Sequence, residues 1–71
     1  MTAMQEVPIR DDMVRLGQLL QLVGLAESGS HARVLLAEED IRVNGAPETR
    51  RGAQLHRGDV VEAMGEAFTV R

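Results

Sequence analysis

Apolar residues change their spacing midway along the chain. In the first half, Leu16, Leu19, Leu20 and Val23 fall at i, i+3, i+4 and i+7 and mark one face of a helix. Asp11 or Asp12 stands where it can cap that helix. Gly24 supplies a left-handed stop, after which Leu25 can fold back on the last turn. Ser28, with Ser30 behind it, heads a second helix spanning about 29–38, with Ala32, Leu35 and Leu36 as its buried stripe. Glu38-Glu39-Asp40 closes it. From Ile41 the spacing turns to alternation: Ile41 and Val43 flank Arg42, Asn44-Gly45 is a strong hairpin signal, and Pro47 to Thr49 begin the return. Leu55 anchors a loop-rich stretch punctuated by Gly52 and Gly58. Val60-Val61 with Met64, then Phe68 and Val70, predict two closing strands joined at Gly65-Glu66. At the other end, residues 1–6 lack periodicity and are expected to form a flexible tail, while Val7 and Ile9 alternate around Pro8 as a short edge strand. The predicted class is α+β, two packed helices followed by a small, mainly antiparallel sheet, as one domain over residues 7–71.

Composition narrows this picture by what is missing. With one Phe and no Trp or Tyr among 71 residues, the core is aliphatic and no aromatic platform is on offer for stacking bases. The lack of cysteine excludes disulfides, thiolate metal sites and thiol nucleophiles, and fits a reducing cytoplasm. The opening MTAMQEVPIR lacks the pattern of a signal peptide, and no apolar run approaches the ~20 residues of a membrane span. A soluble, cytoplasmic protein with no membrane partner is expected.

Net charge is −3, which alone argues against a nucleic-acid partner. Its distribution argues the other way. Residues 1–27 hold two Arg against four acids and residues 58–71 one Arg against three, whereas residues 28–57 hold five Arg against four acids and both histidines. All eight basic residues are Arg, the cation suited to bidentate phosphate contact.

Enzyme chemistry finds no support. His31 and His56 are the only histidines; no Ser sits in a nucleophile motif, and Ser28 and Ser30 serve as helix caps. No His/Asp/Glu cluster has metal-ligand spacing, and the seven glycines are scattered rather than gathered into a phosphate-binding loop. A non-enzyme without metal or cofactor is expected.

The informative set is Arg15, Arg33, Arg42, Arg50, Arg51 and Arg57, with His31, Asn44 and Gln54. Arg33 lies near the start of the second helix, where backbone N–H groups and the helix dipole attract anions. Arg15 lies near the start of the first and can flank the same place, and Arg50-Arg51 follows the hairpin. Together they outline a basic groove; the opposing reading leaves them solvated or paired with Glu38, Glu39 and Glu48. Without stacking aromatics, recognition is expected to rest on backbone and shape. About 3–5 phosphate contacts would give a salt slope of roughly −2 to −4.

Four segments then stand out in order: ESG-x-x-A-R at 27–33, I-x-VNG at 41–45, ETRRG at 48–52 and GDVV at 58–61. In this order they resemble the RNA-binding domain first described in small-subunit ribosomal protein S-four, the alpha-L motif, and its short stand-alone bacterial members, the YbcJ-type proteins. The resemblance spans about residues 7–70. It implies a two-helix and small-sheet fold whose helices and following loop face RNA, with contacts from Arg15, Ser30, His31, Arg33, Asn44, Arg50, Arg51 and Arg57. Asn44 and Gly45 serve either the turn or the ligand, and GDVV reads as structural. Short members usually carry Lys where this chain has Gln21 and Gln54, and Gly where it has Glu39. The resemblance implies structured RNA of the ribosomal or transfer class as partner and a link to the ribosome or a ribosomal subunit; a monomer is expected. The alternative is a protein-interaction module of the same fold with weak or no RNA affinity.

Overall fold

The computed structural model describes residues 4–71. Along the chain run β1 (Met4–Val7), β2 (Met13–Arg15), α1 (Leu16–Leu22), α2 (Gly29–Glu38), β3 (Arg42–Val43), β4 (Ala46–Pro47), β5 (Gln54–His56), β6 (Val60–Ala63) and β7 (Glu66–Val70). The helices therefore do not simply precede a sheet, as the alternation pattern led one to expect. Two strands come before them. β1 lies parallel to β7, with Val7 opposite Val70, at one edge of a five-stranded sheet ordered β1-β7-β6-β3-β4 whose other pairings are antiparallel. β2 pairs antiparallel with β5 in a separate ribbon, Val14 opposite Leu55.

Those early strands escape a periodicity reading for a physical reason. A three-residue strand buries one side chain: Val14 lies between half-buried Met13 and exposed Arg15, Leu55 between exposed Gln54 and His56. One apolar position cannot define a period of two; only the distant partner strand supplies the second. The strand expected at Val7 and Ile9 lies earlier, at Met4–Val7, with Pro8 just beyond it. Of the tail expected over 1–6, residues 1–3 lie outside the described residues and Met4, Gln5 and Glu6 are exposed positions of β1.

The core is aliphatic around Phe68. Leu16, Leu19 and Leu20 of α1, Ala32 and Leu36 of α2, and Ile41, Leu55, Val61 and Val70 all join it at 2% exposure or less. Neither Asp11 nor Asp12 caps α1, because β2 runs directly into it. The N-cap is Arg15, still extended at φ −86° and ψ 149°, and Gln18 Oε1 accepts its backbone N–H at 3.0 Å. At the far end, Gly24 takes φ +81° and its N–H donates to the Gln21 carbonyl at 3.1 Å. Ser28 caps α2, its Oγ accepting from the His31 N–H at 3.1 Å. Glu39, where the resemblance implies a Gly, has φ −103° and so bears no left-handed strain. The β3–β4 turn is Asn44-Gly45 at φ 52° and 84°. The β6–β7 turn is Met64-Gly65 at φ 49° and 78°, one residue earlier than Gly65-Glu66.

Candidate nucleic-acid interface

Pairing of β2 with β5 ties the loop after β4 to the first turn of α1. The Leu16 N–H donates to the Ala53 carbonyl and the Gly17 N–H to the Arg51 carbonyl, each at 2.9 Å. Arg51 thereby lies across Gly17, where a Cβ would overlap the Arg51 Cγ. From there its guanidinium reaches the start of α2, Nη1 donating to the Gly29 carbonyl at 3.2 Å. Arg15 turns towards the same loop, Nη1 donating to the Gly52 carbonyl at 2.7 Å. These residues, with Gln18 and Gln21, line a cleft of about 330 Å³ between α1 and the first turn of α2.

The anchoring atoms decide the electrostatics. A carbonyl oxygen fixes one of a guanidinium's five donors and brings no net charge, so orientation is gained and the positive charge is kept. Among the described residues, no carboxylate lies within ion-pair distance of Arg15 or Arg51. The same holds for Arg33, exposed on α2 one turn beyond Gly29 and so on the helix face that Gly29 presents to Arg51. Ser30 is exposed in that first turn. His31 Nδ1 accepts the Glu27 N–H at 3.0 Å, leaving the ring proton on Nε2. Arg15 and Arg51 thus line the cleft, Arg33 follows on the α2 face of Gly29, and Ser30 and His31 lie in the first turn of α2 outside the cleft lining.

The other sequence-derived candidates lie elsewhere. Asn44 is occupied by the fold: Nδ2 donates to Asp59 Oδ1 at 3.1 Å and Oδ1 accepts the Val60 N–H at 2.9 Å. Asp59 also accepts the His56 N–H at 2.7 Å, and that bond, with the one from Asn44, holds its carboxyl below the usual range. Arg50 is forked onto Glu48, Nε to Oε2 at 3.2 Å and Nη2 to Oε1 at 3.0 Å. The Arg50 side chain, then its backbone N–H, pushes the Glu48 carboxyl down to about 2. Arg57 pairs with Asp12 at 2.9 Å and donates to the Ile9 carbonyl at 3.3 Å. Arg42 pairs with Asp40 at 3.2 Å and Arg71 with Glu6 at 2.6 Å.

What the sequence reading missed is Gly17, whose bare backbone lets Arg51 lie across the first turn of α1; at Gly29 and Gly52 a Cβ would meet the arginines only at ordinary contact distance, 3.5 and 3.8 Å. Gly17 carried a signal, since a glycine inside an apolar helical stripe costs about 1 kcal/mol and so marks a close approach. Among the described residues no group of three or more His, Asp or Glu side chains is placed to hold a metal, and no helix is long and apolar enough to cross a membrane.

The model of one protein family, the S4 domain, matches residues 7–71. Among curated proteins, the chain is 42% identical over 59 residues to "Probable ribosome maturation protein RlbA" of Bacillus subtilis, covering 83% of each. It is 39% identical over 57 residues to "Putative RNA-binding protein YbcJ" of Escherichia coli, covering 80% of this chain and 81% of that one. A tyrosine–tRNA ligase of Ruegeria pomeroyi is 44% identical over 43 residues, which are 61% of this chain but 10% of the ligase.

Proposed function

The chain belongs to the S4 domain family, as a short, YbcJ-like member, and from that premise we propose that it binds structured RNA of the ribosomal or transfer class through phosphates held in the α1–α2 cleft. The observation that supports this reading is the pair Arg15 and Arg51, oriented by carbonyls and cancelled by no carboxylate among the described residues. Oriented guanidinium groups contact phosphate oxygens through charge-assisted hydrogen bonds, and N–H groups of the α2 start add to that attraction. Arg33 extends the contact along α2, with Ser30 and His31 at its margin. Asn44 acts in its turn, and Arg50 and Arg57 contribute little while their carboxylates hold them. Phe68 is buried, so no Phe, Tyr or Trp stacks on a base, and the contacts made in the cleft itself are to backbone and shape.

The names of the relatives point the same way: one is called RNA-binding, one a ribosome maturation protein, and the ligase acts on a transfer RNA. A non-catalytic, monomeric, cytoplasmic protein acting on a ribosomal subunit completes the proposal. A protein-interaction module is the second reading, favoured by the net charge of −3 and by the four arginines spent on carboxylates.

Salt-titrated binding to an RNA hairpin, single-stranded RNA and duplex DNA separates the two. Three phosphate contacts give a log–log slope of about −2 to −3 on the hairpin, and Arg51→Ala reduces it by about 1. Hairpin binding indifferent to Arg51→Ala removes the cleft from the mechanism. No hairpin binding at low salt leaves the protein-interaction reading.

A further inference from the structure

Beside the arginine cleft lies a second groove, about 580 Å³, on the other side of a ridge made by Gln18 and Gln21, which line both. Ile9, Met13 and Leu22 give it apolar walls, and Leu22 is 63% exposed although it belongs to α1. Arg10 and Asp11, both exposed, also line it. Neither is in an ion pair with another described residue.

We infer that this groove receives one unstacked nucleobase, a guanine by preference, from the RNA whose phosphates the arginine cleft holds. The inference rests on the RNA reading proposed for that cleft and adds to it a preference for RNA with an unpaired nucleotide. The groove's volume lies within the roughly 300–1,000 Å³ of sites that enclose small organic ligands. A base has two flat apolar faces and a polar edge, and the groove offers a counterpart to each. Arg10 is a planar guanidinium, a stacking surface that needs no aromatic residue, in a chain whose one Phe is buried. The apolar walls cover the opposite face of the base. Asp11, with two acceptor oxygens and no donor, suits an edge that presents adjacent N–H donors, as the N1–H and N2–H₂ of guanine do. Gln18 and Gln21 can donate to the remaining acceptor from the ridge. Continuity decides the occupant. A nucleotide extruded from a strand running through the cleft needs only to cross the Gln18–Gln21 ridge to enter.

Three hairpins of one sequence provide the test: fully paired, with a single bulged guanine, and with a single bulged uracil. The wild-type protein should bind the bulged-guanine RNA about tenfold more tightly than the paired one, with the uracil bulge between. Leu22→Ser should reduce that preference at least threefold while leaving affinity for the paired hairpin within twofold. Asp11→Asn removes a negative charge and so raises affinity for the paired and uracil-bulged RNAs, but it also removes an acceptor for guanine and should erase guanine over uracil. Both positions are exposed, so thermal melts should stay unchanged. Amide shifts of Asp11, Met13 and Leu22 should appear with the bulged hairpin alone. Equal, Arg51-dependent affinity for all three RNAs overturns the inference and leaves the RNA reading standing; binding to none removes both. A Leu22→Ser variant that keeps its RNA preference and loses a co-purifying protein makes the groove a protein site, which also overturns it.

Discussion

The α1–α2 cleft and the outer face around the β3–β4 hairpin use the same residue type to opposite effect. In the cleft, Arg15 and Arg51 donate to the carbonyls of Gly52 and Gly29. Around the hairpin, Arg42 and Arg50 are tied to Asp40 and Glu48. Arg50 and Arg51 are chain neighbours, yet one side chain is spent on a carboxylate and the other is held out beside a helix start. An anchoring oxygen with no charge orients a guanidinium and leaves its field intact; a carboxylate orients it and cancels the field. The ion pairs outside the cleft add little stability, since exposed pairs contribute about 0.2–1 kcal/mol at most. Net charge is therefore a poor guide to binding here: four of the eleven acids neutralise arginines outside the cleft, and among the described residues none pairs with Arg15 or Arg51.

The contrast breaks most sharply at Gly17. Gly17→Val drives side-chain atoms into Arg51, and overpacking of that kind costs about 1–3 kcal/mol. Thermal unfolding should fall by several degrees, and RNA affinity should fall about tenfold as Arg51 leaves the Gly29 carbonyl. A variant that melts lower but binds RNA normally would show that Arg51 need not lie where it does.

Releasing an outer arginine is the next largest effect. Glu48→Gln should leave Arg50 uncancelled and raise RNA affinity about two- to fivefold at low salt, with the gain vanishing at high salt. Arg57→Gln should change affinity less than about twofold. If Glu48→Gln has no effect, Arg50 is too far from the bound RNA for cancellation to matter.

Acid sharpens the comparison, because only the carboxylate-anchored side titrates with Glu48. The folded-state carboxyl is lowered from 4.5 to about 2, so its contribution to stability is present above the unfolded value and is lost as pH falls towards the folded one. Asp59, also lowered, acts in the same direction. Denaturant midpoints measured across that window should fall less steeply in Glu48→Gln than in the wild type.

Smallest is the effect of the second hairpin turn. Met64 occupies a left-handed position at φ 49° before Gly65, the place that Asn44 fills before Gly45. Met64→Asn should stabilise the protein by about 0.5–1 kcal/mol and leave RNA binding unchanged, because the turn lies outside the cleft.

The residues that the sequence made legible are those whose conformation answers to near neighbours. Leu16, Leu19 and Leu20 repeat at helical spacing and all three are fully buried; Ser28, Gly24 and Asn44-Gly45 act as cap, stop and turn where they stand. Such signals are local, since a cap or a positive φ is set within about four residues. The family motifs, being strings, were legible too. Only the tertiary structure decided the order of strands and helices, which depends on β1 meeting β7 and β2 meeting β5 from opposite parts of the chain. It alone sorted the arginines as well. The partner of a long, flexible guanidinium is whichever oxygen the fold brings within about 3 Å, and a string of residues carries no record of that distance.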